Sequence, residues 1–147
     1  SNARSSHRDF LNAENARLLH ENLNRVFAND STIMQEVFQL MRDGLIEGWL
    51  CPHPGRGLTW GHVSDPDHAG GFSIESVFMS NTGPGHVHPK GEIDLCLPIN
   101  GNPQFDSSSD TWCVYPAQSW HIPTVTDGEM LILYFLPDGE IHFQKQP

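Results

Sequence analysis

The stretch Gly85-His86-Val87-His88-Pro89-Lys90-Gly91-Glu92-Ile93-Asp94 concentrates the residue types that can do chemistry. A strand alternates its side chains between two faces, so His86 and His88 point the same way. Pro89-Lys90-Gly91 reads as a turn. Beyond it, Glu92 and Asp94 share a parity and can face back toward the histidines. Further along, Tyr115-Pro116-Ala117-Gln118-Ser119-Trp120-His121 presents another imidazole after a proline turn. Three imidazoles and one carboxylate suffice to hold a divalent transition metal and leave positions open for a substrate. The donor types do not choose among Fe, Mn, Zn and Ni.

The elements that must position these groups fall into two textures. Ser6 to Phe27 reads as a helix, with a capping box at Ser6 and Asp9 and an apolar stripe of Leu11, Leu18, Leu19, Leu23, Val26 and Phe27. Asn29-Asp30-Ser31 breaks it and caps a second helix, whose apolar face is Ile33, Met34, Val37, Phe38, Met41, Leu45 and Ile46. Gly44 and Gly48 bracket its end. Two short amphipathic helices cannot bury their stripes on each other alone, so they should pack on the remainder of the chain or on a second subunit. Residues 4–48 therefore form a helical segment and 49–147 a barrel, within one structural domain overall.

From Trp49 onward Gly and Pro crowd in and the helical period disappears. Cys51 to Asp67 reads as an extended, loop-rich stretch. Short β-like runs come next at 72–79, 86–88, 93–99, 111–115, 119–123, 130–136 and 140–143, separated by turn material such as Asn100-Gly101-Asn102-Pro103, Asp106 to Asp110 and Asp127-Gly128. Many short strands with this punctuation predict a mainly β, antiparallel barrel or sandwich preceded by two helices.

The chain has 147 residues, enough to bury one core. Ser1-Asn2-Ala3 reads as a tag remnant. Eight basic against 18 acidic residues leave a formal net charge of −10, which disfavours nucleic acid and anionic membrane as partners. No apolar run is long enough to span a bilayer, and no signal peptide is visible. Cys51, Cys96 and Cys113 are odd in number and lack CxxC spacing, which argues against a disulfide framework and for a reducing cytoplasm. A homodimer is the expected assembly.

The two histidine stretches resemble the paired motifs of the cupin superfamily, small jelly-roll barrels. His86-Val87-His88, then three residues, then Glu92, with Gly101 later, matches the first motif; Pro116-Ala117-Gln118-Ser119-Trp120-His121 matches the second, with Gln118 where glycine is usual. The resemblance implies that His86, His88, Glu92 and His121 are metal ligands. The spacer from Glu92 to Gly101 is longer than usual, and counting back from Gly101 with the usual spacer lands on Asp94. Spacing alone leaves the two acids open. Glu92 is preferred for its distance from His88 and its longer arm, with Asp94 as an orienting or proton-transfer group. Val125 stands where an asparagine often comes after the last histidine.

Together with two leading helices, Gly-His-Val-His-Pro-Lys-Gly-Glu-Ile-Asp and Tyr-Pro-Ala-Gln-Ser-Trp-His-Ile-Pro-Thr-Val resemble the 4-hydroxylaminobenzoate lyase family, which forms 3,4-dihydroxybenzoate and ammonia. That resemblance implies a metal-dependent lyase acting on a small aromatic carboxylate. Asp94 and Glu92 are then the candidates for moving protons. Trp60 and Trp120 could stack on the ring, although Trp120 has the strand parity opposite to His121. Lys90 and Arg56 could pair with the carboxylate. The same donors suit an iron-dependent cupin dioxygenase, and a non-catalytic small-molecule-binding cupin is the remaining alternative.

Overall fold

The computed structural model describes residues 11–147. The Ser6–Asp9 capping box lies outside the described residues. Helix α1 spans Ala13–Val26 and α2 spans Thr32–Glu47. Asn12 caps α1 by accepting from the Asn15 N–H at 2.9 Å, so this helix starts later than its apolar stripe suggests. Gly48, left-handed at φ 86°, ends α2.

The strands are β1 (His53–Pro54), β2 (Leu58–Ser64), β3 (Phe72–Met79), β4 (His86–His88), β5 (Glu92–Phe105), β6 (Trp112–Tyr115), β7 (Ser119–His121), β8 (Val125–Pro137) and β9 (His142–Phe143). They form a six-stranded sheet in the order β1-β2-β3-β8-β5-β6 and a three-stranded sheet in the order β7-β4-β9. All the strand pairings are antiparallel. This is the mainly β architecture with two leading helices that the punctuation of the sequence predicts.

The helices meet the large sheet in different ways. Met34, Phe38 and Met41 of α2 bury against Leu95, Leu97 and Leu131 on the outer face of that sheet and against Leu50, just past the helix. In α1 the one buried residue is Ala16, while Leu18, Val26 and Phe27 of the expected stripe are exposed. Helix α1 instead satisfies the free edge of β6. His20 Nδ1 accepts the Val114 N–H at 3.1 Å, Asn24 Oδ1 accepts the Trp112 N–H at 2.9 Å, and Asn24 Nδ2 donates to the Trp112 carbonyl at 2.8 Å. Helix side chains thus stand in for a strand and blunt an edge that would otherwise pair with another chain.

Three expectations need correction. The stretch 51–67 is not merely loop, because β1, β2 and a short 3-10 turn at Pro66–His68 lie within it. Leu58–Ser64 gives no clean period by itself and becomes a strand by pairing along β3. Asn100–Pro103 and Asp127-Gly128 are not hairpin ends either. They are irregularities inside the long β5–β8 ladder, where Gly101 faces Gly128. A Cβ on Gly128 would lie 2.2 Å from the Asn100 carbonyl oxygen, so the crossing requires glycine there. Finally, the run expected over 119–123 ends at His121.

Candidate metal centre

Period-two alternation and two tight turns assemble the site. On β4, His86 and His88 are buried on the inner face. Gly91, at φ 99°, closes the turn after β4 where a Cβ would meet the Leu11 side chain at 2.6 Å and the Tyr115 carbonyl at 2.9 Å. Glu92 comes next as the first residue of β5. In the second motif Gln118 takes a positive φ of 66° without being glycine. Its N–H donates to the His88 carbonyl at 2.7 Å and its side-chain amide to the Pro89 carbonyl at 3.1 Å, tying the two turns together. Strand β7 then pairs with β4 so that His121 stands opposite His86.

One donor atom from each of His86, His88, Glu92 and His121 lies within 4.8 Å of every other. The Nε2 atoms of His86, His88 and His121 stand 3.5, 3.3 and 3.8 Å from Glu92 carboxylate oxygens. The Nε2 atoms of His86 and His121 are 3.2 Å apart.

The far side of each ring decides which nitrogen carries the proton. His86 Nδ1 faces the Pro84 carbonyl at 3.1 Å, which can only accept. His88 Nδ1 faces Ser119 Oγ at 2.8 Å, and that hydroxyl spends its own hydrogen on the Pro116 carbonyl at 2.7 Å, so it too accepts. His121 Nδ1 faces the Asp106 carboxylate at 2.6 Å. All three rings therefore hold their proton on Nδ1 and turn a bare Nε2 lone pair toward Glu92. His88 Nε2 is buried with no hydrogen-bond partner. Converging lone pairs around an ionised carboxylate repel one another unless a cation stands among them, and this donor set could hold a metal ion.

Burial and neighbours set the charges. Burial opposes ionisation of Glu92, but the imidazoles of His86 and His88 beside it outweigh burial and hold its pKa well below the usual range. Burial also opposes charging of His86, and Glu92 overcomes it and raises the His86 pKa. Asp94 shares the inner face but is not in the cluster. Burial, then the charge of Glu92, push its pKa well above the ordinary value, so it keeps its proton. Its Oδ2 is buried without a hydrogen-bond partner.

The other candidates are more dispersed. Lys90 forms ion pairs with Asp138 and Glu140, binding the turn after β4 to the turn after β8. Trp120 pairs with Val87 in the register that alternates with the histidine pair, and its Nε1 donates to the Gln144 carbonyl at 3.0 Å. Arg56 is exposed in the turn between β1 and β2. Trp60 stands opposite Val77, on the inner face of β2, and is 45% exposed. A cavity of about 410 Å3 opens between α2 and β5, lined by Phe38, Arg42, Leu97 and Met130 among others, and none of the four cluster residues lines it.

Sequence reasoning missed the anchors Ser119 and Asp106. Asp106 lies in a segment that reads as turn, and no short spacing links it to His121. The hydroxyl of Tyr115 also donates to Asp106, at 2.5 Å.

The family description "PnbB: 4-hydroxylaminobenzoate lyase" matches residues 4–143. The chain belongs to the 4-hydroxylaminobenzoate lyase family. Two proteins named 4-hydroxylaminobenzoate lyase are similar to it. One, from Nocardioides sp. (strain LMS-CY), is 27% identical over 153 residues, covering 94% of this chain and 90% of the relative. The other, from Pseudomonas putida, is 27% identical over 157 residues, covering 92% and 85%. Among solved structures, an RmlC-like cupin protein from Ralstonia eutropha JMP134 is similar at a TM-score of 0.43 and 12% identity, covering 63% of this chain and 62% of that one. The polyketide cyclase RemF from Streptomyces resistomycificus is similar at a TM-score of 0.43 and 18% identity, covering 65% and 77%. No helix among the described residues is long and apolar enough to cross a membrane.

Proposed function

We propose that this family member is a metal-dependent lyase that converts 4-hydroxylaminobenzoate to 3,4-dihydroxybenzoate and ammonia. The observation that carries this reading is the convergence of three bare Nε2 atoms on Glu92 beside a second, protonated carboxyl, Asp94. His86, His88, Glu92 and His121 would hold the ion. A bound divalent ion supplies Lewis acidity toward the hydroxylamine oxygen, which eases N–O cleavage.

The overall reaction takes up water and needs no oxidant or reductant. The N–O bond breaks and its oxygen leaves as water after gaining a proton. A water oxygen bonds to the ring carbon beside the nitrogen-bearing one. The resulting imine takes up another water and expels ammonia, leaving the catechol. Asp94, kept protonated by burial and by Glu92, would give the proton to the departing oxygen and regain one from the incoming water. Glu92 stays ionised and orients Asp94. The aromatic ring would stack on Trp60, whose inner-facing indole remains accessible. Arg56 would meet the carboxylate, since it makes no ion pair among the described residues, whereas Lys90 is already engaged by two acids and Trp120 turns toward the opposite face.

The test is ammonia release from 4-hydroxylaminobenzoate by purified protein, before and after chelation and after metal is restored. Activity that survives complete metal removal overturns the metal-dependent mechanism. Oxygen uptake with Fe(II) in place of ammonia release would assign the chain to the dioxygenase class that the same donors suit.

A further inference from the structure

The three imidazoles are not anchored alike. His86 and His88 give their Nδ1–H to neutral acceptors, the Pro84 carbonyl and the Ser119 hydroxyl. His121 alone gives it to a carboxylate, that of Asp106, at 2.6 Å. Asp106 sits just past the end of β5 with a left-handed φ of 48°. Its Oδ2 accepts from both His121 and the Tyr115 hydroxyl, and its Oδ1 accepts the Thr124 N–H at 2.8 Å. The Tyr115 ring lies 4.3 Å from the His121 ring, centroid to centroid, and closes one side of the imidazole.

We propose that Asp106 is a positioning residue that acts through His121: it holds that imidazole with its proton on Nδ1 and makes Nε2 the strongest of the three nitrogen donors. The inference rests on the metal reading of the cluster. A carboxylate on Nδ1–H draws the proton toward itself, so the ring gains imidazolate character and its far nitrogen becomes more basic. A neutral acceptor does this weakly. Three donors from separate segments fix the carboxylate, so the ring has one orientation. An amide in place of Asp106 cannot reproduce this. With its oxygen toward Thr124, it turns its NH2 toward His121, forcing Nδ1 to accept and moving the ring proton onto Nε2, away from metal binding.

The experiment measures Zn(II) and Co(II) affinity by competition against a chromophoric chelator for wild type, Asp106→Asn, Tyr115→Phe, His121→Asn and the double variant Asp106→Asn/His121→Asn. We expect Asp106→Asn to weaken binding by about 10- to 100-fold and to shift the Co(II) absorption bands. Tyr115→Phe, which leaves the Asp106–His121 contact in place, should cost no more than about threefold and leave the bands unmoved. In the His121→Asn background, adding Asp106→Asn should change affinity by less than about twofold, because the residue through which Asp106 acts is gone. Equal affinity in wild type and Asp106→Asn, or an undiminished loss in the His121→Asn background, overturns the inference and leaves the metal reading intact. A wild-type protein that binds neither ion overturns the metal reading itself. If Asp106→Asn does not fold, Asp106→Ser, whose hydroxyl can still accept from Thr124, carries the same comparison.

Discussion

On the outer face of the large sheet, Phe78, Leu95, Leu97 and Leu131 pack with Met34, Phe38 and Met41 of α2. On the inner face, the same strands carry Glu75, Tyr134, Asp94 and Glu92. There, cross-strand register sets His62 opposite Glu75, Glu75 opposite Tyr134, Tyr134 opposite Asp94 and Asp94 opposite Cys113. One end of this row is open, where His62 hydrogen-bonds Glu75 and Asp65 at 2.8 Å each. The other reaches Asp94, only 1% exposed, and Cys113. Neighbouring positions on one strand thus do opposite work. Both faces bury apolar side chains, but the inner one, beside the cluster of Met79, Phe105 and Met130, also keeps ionisable groups where apolar packing would be more stable. A strand can do both because its side chains alternate, so a demanding site need not interrupt the core behind it.

The comparison can be broken by variants that move the wrong property. The largest expected effect is at the cluster: in His86→Ala/His121→Ala, copurifying metal and ammonia release should both fall to background, read by elemental analysis and a coupled ammonia assay. Full activity in that variant would remove the metal from the mechanism.

Next is Asp94→Asn, which should lower kcat by roughly 10²- to 10⁴-fold while raising the thermal midpoint of metal-free protein at neutral pH. The folded-state pKa of Asp94 lies above its unfolded value. The folded chain therefore retains a proton that the unfolded chain releases above about pH 4, and stability falls as pH rises through that interval. The amide has no proton to lose, so its advantage should appear above about pH 4 and vanish below it. Glu92 and Asp106 have the opposite sign, since their pKa values are depressed. Their contribution is present above the ordinary carboxylate range and is lost as pH falls below it through their depressed folded-state values. Denaturant titration of metal-free protein across pH separates the two.

An outer-face change should show the converse. Leu131→Ala, at a position with no exposure, should destabilise by about 2–5 kcal/mol and leave metal affinity unchanged. A shift in affinity would mean that the two faces are coupled. The smallest effect belongs to the rim: Lys90→Met removes a partly exposed ion-pair network and should cost roughly 0.2–1 kcal/mol, less at high salt, with kcat unaltered. A fall in kcat with KM raised would return Lys90 to substrate binding.

Much of the cluster was legible because its chemistry is local. His86, His88 and Glu92 are joined by one strand period and one glycine turn, which short-range sterics specify. The Pro116 turn announced His121 as a further donor for the same reason. Strand β2 was not legible, because Leu58–Ser64 mixes Thr, Gly and Ser with Trp and Val and owes its conformation to β3. Helix α1 misled in a different way: its leucines suggested a packing stripe, whereas His20 and Asn24 make the contacts with β6.

By itself, the sequence determined the two helices, the β character of the remainder and the shared face of the paired histidines, since each depends on interactions between residues a few positions apart. Only the tertiary structure decided that Glu92 rather than Asp94 joins the imidazoles, that Asp106 holds His121, and that a row of ionisable groups crosses the inner face from His62. The Asp106 contact and the inner-face row depend on the register between strands distant in the chain, and the choice of Glu92 on how β5 leaves the Gly91 turn. A slip of one residue would turn every one of these side chains to the other face.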